Sequence, residues 1–135
     1  ARVRLTYESL VRGIATSGWR GRSQSLGIAD AVTVLAGSAA IADAAATLIA
    51  NDVNVDYPGI LKRPASEVKD ESDLGMLPVT VDVPPLPVDQ ISEALKRGAQ
   101  TAGNFIRTGK IEAAYLSLQK QTLVVENNLK KESNE

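Results

Sequence analysis

The chain has 135 residues, 15 basic and 16 acidic side chains for a formal net charge of -1, and an apolar fraction of 44%. That is one domain's length with enough apolar content for a core; the balanced charge argues against a nucleic-acid partner, and no run is long and apolar enough to argue for a membrane one. The chain has no cysteine and no histidine, which excludes Cys/His zinc sites, disulfides, a cysteine nucleophile and a Ser-His-Asp relay assembled from this chain alone.

Chemistry is thereby left to carboxylates, Lys, Arg, Tyr, hydroxyls or a hard metal. The absence of cysteine is compatible with a cytoplasmic setting, which is the expectation. Aromatic residues make up only 4%, so the core must be built from Ala, Val, Leu and Ile.

Val3, Leu5 and Tyr7 alternate with Arg4, Thr6 and Glu8, the pattern of a half-buried strand. Val11 to Thr16 reads as a short strand, and Ser17 to Leu26, rich in Gly, Ser and Arg, as a loop. A second apolar strand follows at Ala31 to Ala36. Gly37-Ser38 then opens a helix with Ser38 as its cap. That helix runs to about Ala50, and its nearly continuous Ala, Ile and Leu surface predicts burial on most sides.

Asn51 to Leu77 reads as a long excursion holding Pro58-Gly59, Pro64 and the acidic residues Glu67, Asp70, Glu71 and Asp73. Those acids lack the ligand pattern of an EF-hand loop and read as a solvated charge run. Pro78 to Val83 alternates as a strand, ended by Pro84, Pro85 and Pro87. Val88 to Arg107 carries Ile91, Leu95, Ala99, Ala102 and Ile106 at helical spacing, closed by Thr108-Gly109. Ile111 to Leu118 and Thr122 to Glu126 form a hairpin through Gln119-Lys120-Gln121, and residues 127–135 form a polar tail. The sum is a single α+β domain over residues 1–126, a mainly antiparallel sheet with two helices on one face.

Asp43 and Thr47 stand four residues apart on the first helix. A carboxylate and a hydroxyl at that spacing share a face and offer Mg2+ two hard oxygen donors. The competing reading is that Thr47 bonds back to a carbonyl one turn earlier while Asp43 faces water. Arg12, Arg20 and Arg22 flank the glycine-containing loop and suit phosphate or carboxylate recognition; the alternative is a solvated loop. Trp19 either stacks on a ligand ring or caps the core. Asp30 reads as a turn residue, with a second metal ligand as the alternative. Gly18-Trp19-Arg20-Gly21 lacks the dinucleotide spacing.

From Val11 to Asp52 three segments follow in order: a strand ending Thr16-Ser17-Gly18, the strand Val32-Thr33-Val34-Leu35-Ala36, and the helix segment Ala42-Asp43 to Thr47. This order resembles the C-terminal half of the ApbE-like superfamily, whose best-known members transfer FMN from FAD onto a protein threonine. The run Trp19 to Ser23 is similar to a bacterial and archaeal branch of it. The resemblance implies Mg2+ on Asp43 and Thr47, and FAD or FMN against Thr16, Ser17, Gly18, Arg20 and Arg22. It also implies a larger fold, completed by an N-terminal half of the same protein or by a second copy in a homo-oligomer, with the loop near Trp19 beside the start of the helix.

The family's His-Ile-x-Asp-Pro-x-Thr-Gly segment reads Gly27-Ile28-Ala29-Asp30-Ala31 here, so no catalytic residue is assigned. Two functional expectations stand side by side. One is a flavin- or nucleotide-binding protein with a hard metal, extending to FMN transfer; the other is a binding or structural module that keeps the fold without the transferase chemistry.

Overall fold

The computed structural model describes residues 11–21, 24–69 and 72–126. The strand expected at residues 3–7 and the tail at 127–135 lie outside them, as does Arg22. The element order is β1 (Gly13–Ser17), β2 (Ala31–Ala36), α1 (Ala39–Asp52), β3 (Leu61–Pro64), α2 (Ala65–Val68), β4 (Pro78–Asp82), α3 (Val88–Arg107), β5 (Ile111–Leu118) and β6 (Gln121–Glu126). A four-stranded sheet in the order β1-β2-β5-β6, antiparallel throughout, forms the body, and β3 and β4 pair as a separate two-stranded sheet. The fold is α+β, as the alternation of strand and helix patterns predicts.

Register explains which face is covered. Ala15, Val34, Ala114 and Val125 pair across the sheet, as do Val32, Leu116 and Leu123, and paired residues share a face. These side chains belong to or pack against one apolar core with Ala42, Ala46, Ile49, Ile91, Leu95 and Ala102, so α1 and α3 lie together on that side. Gly98 sets how closely they approach: a Cβ there would sit 2.3 Å from Val53 Cγ2 and 2.9 Å from Leu116 Cδ2. A helix-interior glycine sacrifices propensity, and here the space is occupied by its neighbours. The opposite face, with Ile14, Thr16, Thr33, Tyr115 and Val124, has no described helix over it.

Helix α1 begins as expected, with the Ser38 hydroxyl accepting the Ile41 backbone N–H at 3.2 Å. It is not buried on most sides, however. Ala40, Ile41, Asp43, Ala44 and Leu48 are exposed, because only the side bearing Ala42, Ala45, Ala46, Ile49 and Ala50 meets the core. Alanine content hid the asymmetry, since a small apolar side chain costs little on either side. Helix α3 is strongly sided, with Ile91, Ala94, Leu95, Gly98 and Ala102 buried, and its bounds agree with the sequence reading.

The excursion after α1 is more ordered than composition suggests. Leu61–Pro64 pairs with Pro78–Asp82, and the Ala65 and Ser66 N–H groups bond to the Leu77 and Gly75 carbonyls at 2.9 and 2.8 Å. Strand β3 escapes a periodicity reading because Leu-Lys-Arg-Pro alternates nothing and ends in proline.

Candidate functional site

Thr16, Ser17 and Gly18 do not converge on a ligand position. Thr16 and Ser17 point to opposite faces, as neighbours in a strand must. The Thr16 and Thr33 hydroxyls are 2.9 Å apart on the open face, whereas the Ser17 hydroxyl is buried without a partner among the described residues. Gly18 is a close-approach residue, since a Cβ there would lie 2.3 Å from the Asp30 carbonyl oxygen.

The loop that follows packs on the C-terminal end of α1, not on its start. Ile28 N–H donates to the Val53 carbonyl at 2.8 Å, and Leu26 N–H to Asn51 Oδ1 at 3.0 Å. The small sheet is then drawn onto the same loop. Thr80 N–H donates to the Ser25 carbonyl at 2.9 Å, Gln24 Nε2 to the Ala65 carbonyl at 3.2 Å, and the Ser72 hydroxyl to Gln24 Oε1. The Lys62 ammonium bonds to the Leu26 carbonyl and to Asn54 Oδ1. Burial holds the Lys62 pKa below the usual lysine range, partly offset by the Asp56 charge.

Along this seam lies a cleft of about 380 Å3 lined by Trp19, Gly21, Gln24, Val68, Lys69, Val79, Thr80 and Val81. Its walls are aliphatic and aromatic, with a few polar groups, the usual make-up of small-molecule sites. Two of those polar groups are unsatisfied. Thr80 is 5% exposed, and neither its hydroxyl nor the Trp19 indole nitrogen has a hydrogen-bond partner among the described residues. Arg20 stands over the Trp19 ring, 4.9 Å from its centroid, close enough for a cation–π contact.

At Asp43 and Thr47 the structure shows a local bond within the helix. The Thr47 hydroxyl donates to the Asp43 backbone carbonyl at 3.0 Å, the local alternative that the spacing leaves open. Asp43 is exposed. Among the described residues no group of three or more acidic side chains could hold a metal ion, so Mg2+ would meet a single carboxylate and a hydroxyl on an open helix surface. These residues do not fit the ion, and neither lines the cleft.

Asp30 is a structural residue. Its carboxylate accepts the Gln119 backbone N–H at 2.7 Å. The residues that sequence reasoning missed, Val68, Lys69, Val79 and Thr80, come from α2, its cap and β4. Trp19 and the loop around it carried the only sequence signal for the cleft.

A four-stranded antiparallel sheet backed by two helices, with a cleft where a small second sheet meets a glycine-containing loop, defines an α+β domain. A family model described as AbpE bacteria, AbpE_bact, matches residues 1–126, and the chain belongs to that family. No curated protein and no solved structure matches it. This overturns the resemblance to the flavin transferases: the match is to AbpE_bact over the strand-to-hairpin body, and no FMN-transferase family matches. Thr16-Ser17-Gly18 and Asp43 to Thr47 are short patterns that a strand end and an alanine-rich helix supply on structural grounds. The inference of an absent N-terminal half, drawn from that likeness, has no support from this match. No described helix is long and apolar enough to cross a membrane.

Proposed function

We propose that this chain is a binding module for a small acceptor-bearing molecule, taken up in the Trp19 cleft, and that it keeps no metal-assisted transfer chemistry at Asp43 and Thr47. A flavin and a nucleotide, the ligand classes raised by the sequence, serve as the first probes. The observation that carries the reading is the pair of buried, unpartnered polar atoms, Trp19 Nε1 and Thr80 Oγ1, carried by two residues that line one cleft. An unmade hydrogen bond on a buried group costs about 1–3 kcal/mol, and a ligand that supplied the acceptors would recover it. A cytoplasmic setting belongs to the same proposal and is supported by the cysteine-free chain.

Trp19 is the single tryptophan, so intrinsic fluorescence reports this cleft directly. Equilibrium dialysis against FMN and against UMP, read beside Trp19 emission, tests the reading. Saturable uptake that Trp19→Phe weakens is the expected result, and no uptake of these probes or of a small carboxylate such as benzoate, with unchanged emission, contradicts it.

A second reading, self-association, has its own observation. Ile41 and Leu48 on the outer side of α1 are 46% and 50% exposed, with Ala44 exposed between them, an apolar stripe at helical spacing.

A further inference from the structure

We infer that the molecule held in the Trp19 cleft is an organic carboxylate, its oxygens received by the Trp19 indole N–H and the Thr80 hydroxyl and its charge balanced by Lys69. The inference rests on the binding reading above and narrows it to one ligand chemistry.

Several donors of the described lining residues are already bonded. Gln24 is spent at both ends, on the Ala65 carbonyl and the Ser72 hydroxyl. The Gly21 N–H is spent on the Gly18 carbonyl at 3.2 Å, and the Thr80 N–H on the Ser25 carbonyl at 2.9 Å. The side-chain groups that remain among the described lining residues are the Trp19 indole N–H, which can only donate, the Thr80 hydroxyl, and the Lys69 ammonium, which has no ion pair among the described residues. Among the described residues none of the eight that line the cleft bears a carboxylate. A ligand matching this set accepts a hydrogen bond from the indole and carries negative charge toward Lys69; an amine would meet the Lys69 cation and the donor-only indole, with the Thr80 hydroxyl its one acceptor among these groups.

Phosphate is the poorer fit. Phosphate sites gather arginine forks or several free backbone N–H groups, and here the Gly21 and Thr80 amides are already bonded. Arg20 lies against the Trp19 ring and does not line the cleft. Val68, Val79 and Val81 supply aliphatic walls, which suit a compact apolar body. The volume of about 380 Å3 sits at the low end of the range for small-molecule pockets, room for one ring system and not for a dinucleotide.

The test uses the full 15N-labelled chain, whose sole tryptophan gives one indole N–H resonance. Benzoate, benzamide and benzylamine share a ring and differ in headgroup, and inorganic phosphate serves as the fourth probe. Benzoate should shift the indole resonance along a saturable curve, benzamide at least about tenfold more weakly, with benzylamine and phosphate leaving it in place. Thr80→Val and Lys69→Gln should each weaken benzoate about tenfold while the remaining amide spectrum stays that of the folded chain. Equal shifts by benzylamine, displacement of benzoate by phosphate, or unchanged benzoate affinity in both variants would overturn the carboxylate assignment. Binding of FMN or UMP without benzoate would also overturn it and leave the binding reading standing. Silence of the indole resonance to all six probes would overturn both.

Discussion

Asp30 accepts the Gln119 backbone N–H at 2.7 Å, joining positions 89 residues apart in sequence. Gln119 and Lys120 form the tight β5–β6 turn with φ of 46° and 72°, an unusual pair for a conformation that asparagine and glycine adopt more readily. The rest of Gln119 shows why it is tolerated. Its amide accepts the Leu86 N–H and donates to the Pro84 carbonyl, both at 2.8 Å, so this turn fastens the β4–α3 connection to the main sheet. Asp30→Ala should cost about 1–3 kcal/mol by leaving the Gln119 N–H without its acceptor, and Asp30→Asn should recover most of that. Chemical denaturation of the three proteins checks it.

Gly98 predicts a steric outcome. A Cβ there would meet Val53 Cγ2 and Leu116 Cδ2 well inside contact distance, an overpacking cost of about 1–3 kcal/mol against a gain in helix propensity of about 1 kcal/mol. Gly98→Ala should therefore lower the thermal midpoint by a few degrees. Gly103→Ala, with open space around the position, should raise it, and calorimetry on the pair separates packing from propensity.

Lys62 predicts a pH dependence with a definite sign. Burial lowers its pKa in the folded state, against a smaller opposing effect of Asp56, so below the ordinary lysine pKa the unfolded chain binds more protons than the folded one. Stability attributable to this group therefore rises with pH as the medium becomes alkaline toward the ordinary lysine value. Tyr115, whose pKa is raised by burial and by Glu126, acts oppositely. Its folded state holds the proton longer, so its contribution falls only above the ordinary tyrosine range. Denaturation midpoints between neutrality and that range should climb less steeply for Lys62→Met than for the parent chain, and identical slopes would contradict the account.

How much of this was legible in the sequence depends on whether a residue's role is local. Helix α3 was readable because Ile91, Leu95 and Ala102 recur with the helical period over twenty residues. Strand β3 was not, as its four residues have no period and pair only through contact with β4. At the site, Trp19 could be singled out as an aromatic in a Gly- and Arg-rich loop. Thr80 looked like the polar half of an ordinary strand alternation, and only the fold brings it to the cleft. The Asp43–Thr47 spacing implies a shared helical face, and the same spacing serves a back-bond within the helix.

That back-bond predicts indifference to metal. With one exposed carboxylate and no further acidic ligand at the pair among the described residues, millimolar Mg2+ should not move the melting temperature, and Thr47→Val should change stability by less than about 1 kcal/mol. A metal-dependent rise in the melting temperature that Asp43→Asn abolishes would restore the site.

The outer side of α1 predicts association. If the Ile41 and Leu48 stripe is an interface, sedimentation should show a species larger than the monomer, and Ile41→Lys combined with Leu48→Lys should return it to monomer. A monomeric parent chain at all concentrations would dismiss this reading.

The central claim is that Thr80 keeps an unpartnered buried hydroxyl for a ligand's use, and Thr80→Val tests it most directly because the two side chains have nearly the same shape. Removing an unsatisfied hydroxyl from a buried strand should stabilise the ligand-free chain by about 1 kcal/mol or more. The same change should weaken binding in the cleft about tenfold. Melting the parent and the variant, each with and without saturating benzoate, reads both effects in one measurement. A higher melting temperature without ligand and a smaller ligand-induced rise is the predicted outcome; a variant less stable than the parent, with the ligand-induced rise intact, would contradict it.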